Sequence, residues 1–469
     1  MIEMNTKPKK QFRLFDAVLM SVVVIMTVES VAPAAAIGPS QFFWWIFLLI
    51  FFFLPYGLVS SELGTAYTGE GGIYDWVKEA FGDRWGGRLA FLYWINYPLW
   101  MASLAVLFTN IADQTFSIHM NVWVTMFIQL LFVWFVTLVG NQPVSESKGL
   151  TNISAIFKII IILSLAGLGI YVALTRGVAN NYSGTNLLPK ANLSSLSNLS
   201  IIIFNFLGFE VVATMADHMD DPEKQIPKAT IYGGIMIAIF YLLAAFGIGV
   251  AIPTSKLSAS SGLLDSFILL IGHMDGFVIM VGIMFMFILI TEMISWALGV
   301  NYVADYAAKN HDLPAIFAKE DKKGMPIGAG IVNGIIASIL CIAAPFIPNQ
   351  DIFWAFFSLN VVALILSYAL MFPAFWKLRQ TEPNHERPFK VPGGKIMINL
   401  FTWVPEVLIV VSVLLTILPT GKNDFDAKMP VLIGTIATLI IGEITVRVAQ
   451  RGKNSNPKER NVNYENLKK

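Results

Sequence analysis

Four ionisable residues stand in the middle of long apolar stretches: Glu29, Lys158, Glu210 and Glu292. In hydrocarbon a charged side chain at mid-depth costs about 2.5 to 3.5 kcal/mol even on the permissive insertion scale, so each needs a partner, a polar cavity or a function. Two of the acids share a local design. Glu29 precedes Ala32-Pro33 and Glu210 follows Leu207-Gly208, so both lie beside residues that weaken a helix. Proline removes a backbone donor, and glycine permits a break. A broken helix in a protein interior leaves N–H and C=O groups free to hold the charged ends of a solute. The chemistry on offer is noncovalent recognition at mid-membrane. Alternatives stay open at each position: Glu29 in a structural ion pair with Lys158 across a helix merely kinked at Pro33, Glu210 as a proton carrier, and Lys158 as a side chain snorkelling to the surface.

The segments that must position these residues are membrane spans. Of 469 residues, 56% are hydrophobic and 13% charged, against about 25% charged in ordinary soluble proteins. Windows of about 19 residues place twelve spans near 15–38, 41–61, 89–112, 121–140, 152–175, 195–216, 229–252, 275–300, 327–348, 351–376, 401–419 and 429–447. Glu29 and Glu210 then fall at matching positions of spans 1 and 6, the pattern expected if spans 1 to 5 and 6 to 10 are inverted repeats. The expected fold is all-α, with a 5+5 inverted repeat followed by two C-terminal helices. The expected layout is a cytoplasmic N-terminus (1–14), one transporter domain (15–450, with repeats near 15–175 and 195–376 and extra helices near 401–447) and a basic tail (451–469). Asp16, Glu62, Asp217, Glu406 and Glu443 lie nearer span ends, where they are expected to reach water. A short helix is expected at 263–271, and an amphipathic one on the inner face within 70–82.

Lys and Arg decide the orientation, because positively charged loops stay cytoplasmic. With the N-terminus inside, the inner segments carry 26 of these residues and the outer loops five. Both termini are therefore expected in the cytoplasm, with a multi-pass chain in the bilayer. Lys9, Lys10 and Arg13 precede an apolar run ending in Val31-Ala32-Pro33-Ala34-Ala35-Ala36, which has the outline of a signal peptide. Glu29 within that run and the span that follows at once argue against cleavage. Net charge is +1 and suggests no nucleic-acid partner; Cys341, the one cysteine, can form no intrachain disulfide. Nothing supports an enzyme, because His119, His218, His273, His311 and His385 are scattered without ligand spacing and no phosphate loop or nucleophile–base pattern occurs. No metal and no cofactor are expected.

Several stretches together resemble the amino acid–polyamine–organocation superfamily, most closely its glutamate/GABA antiporter branch. They are Glu70 to Gly82 with Arg84-Trp85-Gly86, Gly208-Phe209-Glu210-Val211 running to Asp221-Pro222 and Ile226-Pro227, Glu292 to Trp296 leading to Asn310 through Lys319, and Arg387 through Lys395. The resemblance covers nearly the whole chain. It implies the 5+5 fold, exchange of one organic solute for another by alternating access, and a site at the breaks of spans 1 and 6 walled by spans 3, 8 and 10. It also implies that a span 5 lysine, here Lys158, occupies the place of a sodium ion and makes transport sodium-independent. The expected substrate contacts are Glu29, Ser30, Val31, Ala32, Asn96, Tyr97, Phe206, Gly208, Glu210, Glu292, Trp296 and Ser358. Many superfamily members carry a Gly-Ser-Gly-like break in span 1, where this chain reads Glu29-Ser30-Val31-Ala32-Pro33-Ala34. An acid there suits an ammonium or guanidinium. The chain also looks like bacterial plasma-membrane exchangers that pair a precursor with its metabolic product. The expectation is thus agmatine/putrescine exchange by a monomer or weak homo-oligomer. The alternatives are glutamate/GABA or tyrosine/tyramine exchange and, more remotely, a membrane receptor or enzyme.

Overall fold

The structure is a computed structural model and describes residues 14–15, 18, 25–69, 71–189, 199–209, 221–258, 261–347, 351–419 and 425–455. All regular structure among them is helical. Among the described residues ten helices are long and apolar enough to cross a membrane: Gln41–Ala66, Asp83–Phe116, Val122–Gly140, Asn152–Thr175, Lys224–Ala251, Gly276–Lys309, Ile327–Phe346, Ile352–Thr381, Gly394–Ile417 and Phe425–Arg451. They coincide with expected spans 2 to 5 and 7 to 12. Spans 1 and 6 are not continuous helices, so a count of twelve depends on taking two interrupted segments as crossings.

Several helices outrun their apolar windows. Span 3 begins at Asp83 rather than 89 and span 8 runs on to Lys309 rather than 300, because a helix can continue into water on polar residues that hydropathy does not register. Local chemistry marks the starts: Asn121 Oδ1 accepts from the backbone N–H of Trp123 (3.0 Å) and Val124 (3.1 Å), and Asp275 Oδ1 from Phe277 (3.0 Å) and Val278 (2.9 Å). Such caps satisfy donors that the first helical turn leaves unpaired. Span 2 contains a π-helical turn at Leu49–Phe53 immediately before Pro55, a wider winding of a kind that recurs near functional sites.

Span 3 forms the centre, almost wholly buried along its apolar length, whereas span 12 turns most of its length outward. The outward residues of span 12 are themselves apolar, among them Ile433, Ile440 and Ile444. That inversion fits a hydrocarbon surround. The short helix Gly262–Ile271 lies over the second half of span 1, where a Cβ added at Gly262 would sit 3.1 Å from Ala32 Cβ.

The expected amphipathic helix is Ile73–Phe81, and it buries Ile73, Tyr74, Trp76, Val77 and Ala80. It ends at Gly82, whose φ of +86° favours a residue without a side chain. Asp312, fully buried in the stretch after span 8, ties this helix in place by accepting from Tyr74 Oη (2.5 Å), Lys78 Nζ (2.8 Å) and Gln450 Nε2 (3.1 Å). Burial, then the neighbouring Asp312 carboxylate, pushes the Tyr74 phenol far above its usual range, so it remains a donor. One expectation fails on this face. Glu62 does not reach water: it is buried and held by two arginines, because the stretch after span 10 folds back over the end of span 2.

Candidate functional site

Span 1 leaves helical geometry after Ile25 and re-enters it at Val31–Ala35. The expected break therefore lies at residues 26–30, just ahead of Pro33. Pro33 stands in the opening turn of the second half-helix, where a missing N–H is tolerated. The bond it cannot make is the one that the Glu29 carbonyl would have accepted. Span 6 begins as Leu199–Phe204 and unwinds over Asn205–Phe209. Gly208 has φ +104°, and a Cβ there would lie 2.8 Å from the Trp296 ring, so both conformation and space exclude a side chain.

Each break is held by a tyrosine from the other repeat. Tyr241 of span 7 accepts from Thr27 N (2.8 Å) and donates to Thr27 O (3.1 Å). Tyr56 of span 2 accepts from the N–H of Gly208 (3.2 Å) and Phe209 (3.1 Å). The two breaks also meet directly, because Thr27 Oγ1 donates to Asn205 Oδ1 at 3.1 Å. Backbone groups freed at depth cost several kcal/mol each if left bare, and these side chains answer part of that demand.

Glu29, Lys158 and Glu292 are all buried at this level. The possible pairing of Glu29 with Lys158 is not the contact found: Lys158 forms its ion pair with Glu292, joining span 5 to span 8, although its charge also acts on Glu29. Beside this pair Thr291 Oγ1, next to Glu292, donates to Ser154 Oγ (2.6 Å), one turn before Lys158. Glu29 Oε1 accepts from Trp100 Nε1 at 3.2 Å, while Glu29 Oε2 has no hydrogen-bond partner among the described residues. Two carboxylates thus face one ammonium.

Trp100, Glu29's partner, heads a chain of aromatic rings drawn from spans 3, 6, 8 and 10. Trp100 meets Trp296 edge-on at 5.7 Å and Phe204 at 5.8 Å, and Phe204 meets Phe357 at 5.6 Å. Other expected contacts lie differently. Ser30 donates to Thr27 O at 2.8 Å and serves the break itself. Val31 and Ala32 are buried in the second half-helix of span 1. Asn96 donates to Tyr93 O within its own helix, and Tyr97 Oη donates to Met293 O at 2.7 Å, joining spans 3 and 8. Phe206 packs on Trp45 (5.2 Å) and Phe53 (5.1 Å) of span 2. Ser358 is buried in span 10. Glu210 lies outside the described residues.

The family model for amino acid permease matches residues 12–441. The chain belongs to the amino acid permease family. This permease is 47% identical to the probable agmatine/putrescine antiporter AguD of Lactococcus lactis subsp. lactis, over 97% of this chain and 98% of that protein. It is 23% identical to the glutamate/gamma-aminobutyrate antiporter of the same organism, over 92% and 90%. Among solved structures, MhsT in complex with L-phenylalanine superposes with a TM-score of 0.58 at 18% identity, covering 87% of this permease and 99% of MhsT. That likeness shows the fold, the 5+5 inverted repeat. The permease is a transporter and not an enzyme.

Sequence reasoning missed the residues that hold the breaks: Tyr56, Tyr241, Thr27 and Asn205. A signal existed in retrospect, since Tyr56 and Tyr241 are mid-helix tyrosines at corresponding places in spans 2 and 7 of the two repeats. The ring donor of Trp100 carried no signal, because its target depends on tertiary packing.

Proposed function

We propose that this permease is a sodium-independent antiporter that exchanges agmatine for putrescine across a bacterial plasma membrane, with both termini in the cytoplasm. The observation that carries the reading is the charge balance at the breaks. Glu292 has Lys158 as its counter-charge, while Glu29 has no ion pair among the described residues and its Oε2 is buried without a partner among them. A buried half-satisfied carboxylate favours a cationic guest, and a charge-assisted hydrogen bond to it is among the stronger polar contacts. The 47% identity to a protein named as an agmatine/putrescine antiporter supports the same substrate class.

Substrate binds at the two breaks, with Trp100, Trp296 and Phe204 around Glu29. Lys158, fixed covalently beside span 8, stands where a coupling cation would otherwise be needed. Because Tyr56 and Tyr241 tie the breaks to spans 2 and 7, those four segments move together against the remaining spans, and bound counter-substrate drives the return. The permease works as one domain, 15–450, built of repeats near 15–175 and 195–376 with extra helices near 401–447, as a monomer or weak homo-oligomer.

Counterflow into liposomes preloaded with putrescine tests this reading. Labelled agmatine is expected to accumulate equally with and without sodium. Obligatory sodium removes the role given to Lys158, and exchange of glutamate for GABA with no response to agmatine removes the substrate assignment.

A further inference from the structure

The first turns of span 3 and the last turns of span 12 gather three guanidiniums around a single carboxylate. Arg84 and Arg88 of span 3 and Arg447 of span 12 each donate to Glu443 of span 12, Arg88 through Nε at 2.8 Å and Arg447 through Nε at 2.5 Å. We propose that this cluster binds the phosphodiester of an anionic phospholipid whose acyl chains lie along the exposed apolar stripe of span 12. Only the choice of leaflet rests on the orientation proposed above; the chemistry does not.

Close helix packing fixes the backbone under these side chains. A Cβ at Gly87 would lie 3.0 Å from Val446 Cγ1, and one at Gly442 would lie 2.6 Å from the Phe91 ring, so two glycines bring the spans together on either side of Glu443. Charge is not balanced there. Three cations against one anion leave two positive charges, because Asp83, beside Arg84 in sequence, lies against Lys78 at 3.4 Å. Each arginine gives Glu443 one hydrogen bond, and its other N–H groups have no acceptor among the described residues. Arg84 and Arg447 are 47% and 59% exposed, so an anion can reach them. Guanidinium forks suit the paired oxygens of a phosphate.

The source of the phosphate follows from what lies next to it. Ile440 and Ile444 are 55% and 56% exposed. Arg447 and Arg451 stand seven residues further on, close to two full turns, and so share the face of those isoleucines. An acyl chain on that face leads to guanidiniums about 10 Å along the helix. Trp85, partly exposed, carries the Arg88 guanidinium over its ring at 4.3 Å, an amphipathic ring of the kind that sits at headgroup level. Basic sites between the inner ends of membrane helices take anionic headgroups in this way. A freely diffusing phosphate would gain nothing from the apolar stripe.

The test follows the melting temperature of the full-length protein in dodecylmaltoside micelles titrated with phosphatidylglycerol, phosphatidylcholine or inorganic phosphate. Phosphatidylglycerol is expected to stabilise saturably, with half-saturation at about tenfold lower concentration than phosphatidylcholine, as two uncompensated cations at a headgroup allow. Inorganic phosphate is expected to have no effect. Arg84→Gln with Arg447→Gln leaves Glu443 matched by Arg88 alone and should reduce the lipid preference to about twofold or less. Glu443→Gln raises the excess charge and should preserve or enlarge it. Equal half-saturation for the two lipids in the wild type overturns the proposal, and that result needs no variant to fold. A preference that survives intact in the double variant belongs to the basic inner face as a whole and overturns it too, as does a preference lost in Glu443→Gln. Stabilisation by inorganic phosphate at concentrations matching phosphatidylglycerol assigns the cluster to a free anion and overturns the lipid assignment.

Discussion

Glu29 and Glu62 are both buried acids, 2% and 1% exposed, and they are compensated very differently. Glu62, at the end of span 2, receives Arg379 Nη2 (2.6 Å) and Val391 N (2.7 Å) on Oε2, while Arg379 Nε (2.6 Å) and Arg387 Nε (3.2 Å) lie against Oε1. Arg387 spends its remaining donors on the carbonyls of Leu378, Glu382 and His385. Both oxygens of Glu62 thus face a guanidinium, and Oε2 also takes a backbone N–H. Glu29 is met by the Trp100 indole N–H and its own backbone amide, has no guanidinium against it among the described residues, and keeps Oε2 without a partner among them. The difference teaches how to tell a fastener from a receptor: complete compensation locks two segments together, and incomplete compensation in a buried place makes room for a guest.

The comparison breaks most visibly at the fastener. Glu62→Ala strands two arginines, and losing one partner of a buried pair costs about 3 to 5 kcal/mol; a large drop in the melting temperature of purified protein is expected, with no change if the cluster is idle. The pair at mid-membrane lies between the two, since Lys158 neutralises Glu292 while Glu292 Oε1 has no partner among the described residues. Glu292→Gln alone is expected to destabilise by several kcal/mol, roughly as above, while Lys158→Met with Glu292→Leu restores much of the loss. Stability unaffected by the single change would place Glu292 with the receptor. The smallest effect is expected at the tyrosine clamps. Tyr241→Phe removes hydrogen bonds worth about 1 kcal/mol each, and should slow exchange while leaving the relative potency of different amines unchanged.

Much of this arrangement was legible in the sequence. Hydropathy located ten continuous spans, and acids paired with Pro33 and Gly208 marked the two interrupted ones. What hydropathy could not show was reach beyond the bilayer, as at Asp83–Arg88 and Ala304–Lys309, where polar helix continues. It also misjudged Glu62. Nearness to a span end says nothing about whether a later segment, here 387–391, folds over it. Partner choice was likewise hidden: Lys158 pairs with Glu292 rather than Glu29 because of how spans 5 and 8 pack, and no spacing in the chain encodes that contact.

The account stands or falls on the spare oxygen of Glu29. Calorimetric titration of putrescine into purified wild-type protein and Glu29→Gln measures it most directly. At least a tenfold loss of affinity, about 1.4 kcal/mol or more, with an unchanged melting temperature in the absence of ligand, is the predicted result. Equal affinity in the two proteins would contradict it.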